Sequence, residues 1–248
     1  MINYSAYTCK GIRKEANDDR ILVDNMILSK ASHSGKKKRA LVSVVCDGVG
    51  STTYAAETAE MIANSFIKFR ADKSSPNILT RHLKRINEDI IEEQNQKNSG
   101  YSMASTVAGL IIYENSYLAF NLGDTRIYKM QSGDLSLISY DHTVRNENLF
   151  NPNGNKDALT RYMGGDGRAC FPSFRRGNVE NNSIFLLCSD GIYKSINERE
   201  IKDVLESEIT LSRKTAELYR LAVKGGSTDD TSIVLIDCSI KHGNTKVS

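Results

Sequence analysis

Among the five cysteines of this 248-residue chain, no two stand in a CxxC pair. Cys9, Cys46, Cys170, Cys188 and Cys238 are odd in number and widely spaced, which excludes a disulfide framework and a zinc knuckle. No apolar run approaches the roughly 18 residues of a membrane span, and the polar start, Met1 to Lys10, lacks the apolar stretch of a secretion signal. A cytosolic protein without a membrane partner is expected. Pro and Gly number only 3 and 17, too few for a disordered or fibrous chain. The charge balance of 33 basic and 30 acidic residues leaves +3, too small an excess to mark a nucleic-acid binder. Internal repeats, Gly/Ser-rich linkers and a G-x-S-x-G nucleophile elbow are also missing.

Against these absences, short runs rich in Val, Ile and Leu recur at 20–28, 40–46, 106–112, 116–122, 126–130, 135–139, 183–188 and 231–238. They read as strands. Cys46, Cys188 and Cys238 lie within or beside such runs, where cysteine behaves as a small hydrophobe. Connections as short as Gly123-Asp124-Thr125 permit hairpins and forbid helical crossovers, so an antiparallel meander is expected in the middle of the chain. Three- and four-residue apolar spacing predicts helices over 53–70, 76–96, 197–205 and 212–223. Strands, two helices, strands, two helices and a strand imply an α+β fold: an antiparallel β-sandwich flanked on both faces by pairs of helices. Residues 1–240 read as one domain with an irregular polar excursion at about 141–179, followed by a polar tail, 241–248. The basic segment 32–39 reads as a solvated hairpin loop, and His142 as a histidine that anchors a loop by hydrogen bonds.

The informative pattern is where aspartates fall. Asp47, Asp124 and Asp190 each follow a strand, Asp229 and Asp230 precede the last one, and Asp18 and Asp19 precede the first. In neighbouring antiparallel strands the end of one lies beside the start of the next, so these acids are expected to converge on one sheet edge. Clustered carboxylates repel and cost stability unless cations neutralise them. Oxygen-only ligand sets suit Mg²⁺ or Mn²⁺ rather than zinc. Two such ions can acidify a water and aim it at phosphorus, and Arg13 and Lys14 lie just upstream to meet the developing charge.

The ordered motifs resemble those of the metal-dependent serine/threonine protein phosphatases of the 2C (PPM) type, in their compact bacterial form. They are Gly11-x-x-x-x-x-Asn17-Asp18-Asp19, Val45-Cys46-Asp47-Gly48-Val49-Gly50, Ser105-Thr106, Asn121-Leu-Gly-Asp124-Thr-Arg126-Ile-Tyr128, Asp141-His142-Thr143, Leu159-Thr160-Arg161-Tyr-Met-Gly164, Leu187-Cys-Ser-Asp190-Gly191 and Asp229-Asp230-Thr231-Ser232. The resemblance implies a phosphoserine/phosphothreonine phosphatase holding two Mn²⁺ or Mg²⁺ ions, with a third in many bacterial members. It assigns Asp47 as the bridging ligand, with the Gly48 carbonyl on one ion and Asp190 and Asp229 on the other. Asp18 or Asp19 would act through a bound water, and Asp124 would join Asp190 at the third ion. Lys14 or Arg13 would bind phosphate, and 141–179 corresponds to the flap beside the site. Phosphorylated proteins, those of a bacterial-type serine/threonine kinase, are the implied substrates. Three positions depart from the family's habit: Lys14 stands where Arg is usual, Val49 where animal members place a histidine, and Asp230 where Asn is common. A catalytically silent phosphoprotein-binding relative and a phosphoesterase acting on non-protein substrates are the competing readings.

Overall fold

Two six-stranded antiparallel sheets stack face to face and helices cover both outer surfaces, in a computed structural model that describes residues 1–97, 102–149, 154–167 and 169–238. The elements, in chain order, are β1 (Ile2–Cys9), β2 (Arg20–Val23), β3 (Met26–Leu28), β4 (Ala31–Lys37), β5 (Ala40–Cys46), α1 (Ala55–Ser65), α2 (Pro76–Gln96), β6 (Ala104–Ser105), β7 (Val107–Tyr113), β8 (Ser116–Leu122), β9 (Arg126–Gln131) and β10 (Asp134–Leu137). They continue with β11 (Met163–Gly164), β12 (Ser173–Asn178), β13 (Ile184–Cys188), α3 (Asp190–Tyr193), α4 (Glu198–Glu206), α5 (Leu211–Lys224) and β14 (Thr231–Asp237). One sheet has the order β10-β9-β13-β14-β1-β4, and the other β12-β8-β7-β5-β2-β3.

Alternation along the strands builds three apolar layers. On β14, Val234 and Ile236 face the inner space between the sheets, while Ile233 and Leu235 face α4 and α5. On β5, Leu41 and Val45 face inward, and Val44 and Cys46 meet Ile62, Phe66 and Leu83 of the α1–α2 layer. Central strands of this molecule therefore read as continuous hydrophobic runs although the sheets are antiparallel, because both of their faces are covered. Burial of each Val, Leu or Ile stabilises by about 1.5–3 kcal/mol. The four-layer order and the buried Cys46, Cys188 and Cys238 agree with expectation. Helix ends follow local chemistry: Ser75 accepts the Ile78 N–H ahead of Pro76 at the start of α2, and Asn197 and Glu200 form a reciprocal capping box on α4.

Four expectations change. The basic segment 32–39 is mostly strand, since β4 pairs along β1 from Ile2↔Lys37 to Thr8↔Ala31. It is an edge strand, where lysines discourage further pairing. The run 20–28 breaks into the hairpin β2–β3, with Asp24 and Asn25 both at positive φ (54° and 63°). The middle of the chain is not one continuous meander: β7–β8 and β9–β10 are hairpins, but Gly123–Thr125 carries the chain from one sheet to the other. Nor is 141–179 irregular throughout, because β12 pairs with β8 as an edge strand. Residues 150–153 and 168 of that stretch, and the tail 241–248, lie outside the described residues.

Candidate active site

Strand register gathers the acids. Arg20 pairs with Cys46, Cys9 with Thr231, and Cys188 with both Ile233 and Arg126. The residues just beyond those pairs are Asp19, Asp47, Asp230, Asp190 and the Gly123–Thr125 connection that carries Asp124. All therefore emerge at the same end of the sandwich. The expected single sheet edge is in fact a shared mouth: Asp19 and Asp47 come from one sheet, Asp190, Asp229 and Asp230 from the other, and Asp124 from the crossing between them.

Backbones approach closely around this mouth. A Cβ on Gly191 would sit 2.1 Å from the Asp230 carbonyl oxygen, and one on Gly11 2.3 Å from that of Thr228. Only glycine permits either approach. The Asp47 backbone is gripped by the chain before β7: Thr106 N–H donates to its carbonyl at 2.8 Å, and the Ser105 hydroxyl does so at 3.0 Å. Gly48, buried beside it, bridges to Ser105.

Electrostatics divides the acids into two kinds. Asp19 is fully buried, and neither of its carboxylate oxygens has a hydrogen-bond partner among the described residues. Burial, with Asp230 and Asp190 adding to it, pushes its pKa up to about 7, although the Ser232 and Ser189 hydroxyls temper the charge. Asp47 is half-buried at the mouth. Its pKa is held well above the carboxylate range by desolvation and by Asp19, Asp190, Asp124 and Asp229. Burial also raises Asp124 and Asp18.

The other acids have cationic company. Lys14 Nζ lies 2.7 Å from Asp229 Oδ1, 3.1 Å from Asp230 Oδ2 and 3.6 Å from Asp18 Oδ2. Burial raises Asp229, but Lys14 and the Asp230 N–H outweigh it and leave the carboxyl below its ordinary pKa. Asp230 is buried and also accepts the Gly11 and Asp18 N–H groups, each at 2.8 Å, which ties the first acidic loop to the last. Arg13 stays exposed beside Lys14. Lys194 Nζ lies 2.6 Å from Asp190 Oδ2 and 3.7 Å from Asp124 Oδ2.

A supporting layer lies behind Asp124. Tyr193 donates its hydroxyl to Asp124 at 3.0 Å, the Arg126 guanidinium sits 3.9 Å over the Tyr193 ring, and Asp141 holds Arg126 through both carboxylate oxygens. His142 is a loop anchor, as expected: Nδ1 accepts the Gly123 N–H, Nε2 meets Ser173 Oγ, and burial takes its pKa down to about 4. Sequence reasoning missed Tyr193, Lys194 and the Arg126–Asp141 pair as site components. Lys194 carried a signal, since it stands four residues beyond Asp190, one helical turn away.

Among the described residues, no three His, Cys, Asp or Glu side chains form a ready ligand group for one ion. Lysines sit among these acids, Lys14 against Asp229 and Asp230 and Lys194 against Asp190. The residues nonetheless fit hard divalent cations. Every donor is oxygen, the acids raise one another's pKa values, and a buried carboxylate with two unpartnered oxygens is costly unless a proton or cation joins it.

Residues 16–222 match the family model of protein phosphatase 2C. A serine/threonine phosphatase of Listeria welshimeri is 23% identical over 213 residues, covering 79% of this chain and 84% of that protein. The protein phosphatase PhpP of Streptococcus pneumoniae is 27% identical over 164 residues, covering 62% and 66%. In fold, the serine/threonine phosphatase Stp1 of Staphylococcus aureus superposes with a TM-score of 0.80 at 22% identity, over 97% of this chain and 96% of that one.

Proposed function

Because the chain belongs to the protein phosphatase 2C family, and is by that membership a metal-dependent serine/threonine protein phosphatase, we propose that the acid-lined mouth is its active site. Asp19 carries this reading, since its fully buried carboxylate has no cationic partner among the described residues and calls for a cation. In this reading Asp47, the Gly48 carbonyl, Asp190 and Asp229 hold two divalent ions, Mn²⁺ or Mg²⁺, with Asp19 and Asp18 acting close by. Ions held there lower the pKa of a water and neutralise charge on a phosphoryl group.

The chain's own residues do the positioning. Ser105 and Thr106 fix the Asp47 backbone at the strand end. Asp230 fixes the Gly11–Asp18 loop and so aims Lys14 across the mouth. Lys14 stays protonated, because Asp229 and Asp230 overcome the opposing effect of burial. It can therefore meet the phosphate of a phosphoserine or phosphothreonine, as a point charge rather than a bidentate fork. Asp141, at the start of the flap, is tied to the mouth through Arg126. The substrates in this reading are phosphoproteins of a bacterial-type kinase in the cytoplasm. Among the described residues no helix is long and apolar enough to cross a membrane.

The test is steady-state hydrolysis of a phosphothreonine peptide, with a nucleoside monophosphate as the competing substrate. The peptide should be turned over and the nucleotide scarcely; the reverse order would assign the site to small phosphoesters. Lys14→Ala should raise the peptide KM by about tenfold, the scale of one charge-assisted contact, with a smaller fall in kcat. Arg13→Ala should leave KM within twofold. If only Arg13→Ala raises KM, the phosphate contact belongs to Arg13.

A further inference from the structure

The two halves of the acidic mouth differ in how their charge is met. On one side Asp19 is buried with no lysine or arginine paired to its carboxylate among the described residues. On the other side Asp124 and Asp190 face each other across a protein cation. Lys194 Nζ lies 2.6 Å from Asp190 Oδ2 and 3.7 Å from Asp124 Oδ2. Its place is built into the fold. The Lys194 N–H donates to the Asp190 carbonyl at 3.0 Å, so the ammonium springs from the helical turn that carries its partner acid. The oxygen of Asp124 nearest the ammonium also accepts the Tyr193 hydroxyl at 3.0 Å, and Arg126 lies over that tyrosine ring.

These two aspartates are the pair that the family resemblance assigns to a third metal ion. Their surroundings do not fit one. An ammonium between two carboxylates already supplies positive charge there, and the Asp124 oxygen turned toward it also takes the Tyr193 hydroxyl. A divalent ion entering beside the ammonium would also meet strong like-charge repulsion over a few ångströms. We propose that the Lys194 ammonium stands in for the third ion between Asp124 and Asp190, so that this chain binds two divalent ions and not three. The proposal rests on the two-ion reading of the core site.

Counting bound Mn²⁺ tests it. Metal-stripped full-length protein is brought to equilibrium with saturating Mn²⁺ by dialysis, and the ions per chain are measured by elemental analysis. The wild-type chain should hold two. Lys194→Met removes the charge with little change of shape, and the count should rise to three. Lys194→Arg keeps the charge and should remain at two. Lys194→Gln, expected at three, serves if the methionine variant does not fold. A wild-type count of three overturns the proposal, as does a count of two in the folded neutral variants. A wild-type chain that binds no Mn²⁺ overturns the reading of the whole site as a metal centre, and this proposal with it.

Discussion

Asp47→Asn should abolish phosphate release from a phosphothreonine peptide while leaving the chain folded. Asp47 projects from the end of β5 and is the carboxylate that feels most of the others, with Asp19, Asp190, Asp124 and Asp229 all raising its pKa. A group in that position would be shared between ions, and its loss would remove several kcal/mol of charge stabilisation from the transition state. The expected fall in kcat is about three decades. The fold should survive because the Asp47 backbone, held by Ser105 and Thr106, is untouched by the change. Without metal, the variant should melt no lower than wild type and even a few degrees higher. A neutral amide relieves the repulsion, and each kcal/mol is worth about 2–4 °C at this chain length. Kinetics and thermal melts on one preparation check both halves. Full activity would sink the assignment of Asp47, whereas a collapsed melting temperature would mean that its carboxylate is structural.

The second large effect is a linkage between protons, metal and stability. Asp19, pushed up to about 7, holds its proton in the folded chain at pH values where the unfolded chain, near 4, has released it. Folding stability from this group is therefore greatest at the acid end and falls as pH rises from about 4 to about 7. The raised pKa values of Asp47 and Asp124 act in the same direction. Asp229, with its lowered pKa, changes stability only below the ordinary carboxylate range, outside this window. Divalent cations compete with those protons. Mn²⁺ at about a hundred times its dissociation constant contributes about 2.7 kcal/mol per site, or roughly 5–10 °C. The rise should be clearly larger at pH 8 than at pH 5. Differential scanning fluorimetry with Mn²⁺ or EDTA at both pH values measures it. Equal rises at the two pH values would mean that the cation binds groups other than these protonated acids.

Much of the molecule was legible before its structure. The runs 40–46 and 116–122 and the helix 76–96 coincide with β5, β8 and α2, since turn residues and Pro76 punctuate them sharply. The convergence of the acids could be anticipated because antiparallel register fixes which strand ends are neighbours. What stayed hidden lacks a local signal. β4 carries Gly35 and a lysine run, and is a strand only because β1 offers it a full ladder of partners. β1 itself is half polar, with Ser5 and Thr8 buried, so it shows little of the apolar enrichment of the other strands. The passage from one sheet to the other at Gly123–Thr125 looks like a hairpin turn in one dimension, and sequence alone does not say which sheet receives β9. Asp230 and Lys194 show the same limit for the site. Nothing beside Asp230 in sequence revealed that it binds two loops together, and the spacing that pairs Lys194 with Asp190 did not reveal its reach to Asp124.

The most direct measurement is phosphate release from a phosphothreonine peptide with Mn²⁺ or with excess EDTA, using wild-type protein and the Asp190→Ala variant. Release from the wild type with Mn²⁺, lost in EDTA and lost in the variant, is the expected result. Undiminished release in EDTA, or from Asp190→Ala with Mn²⁺, would contradict a metal-dependent phosphatase centred on these aspartates.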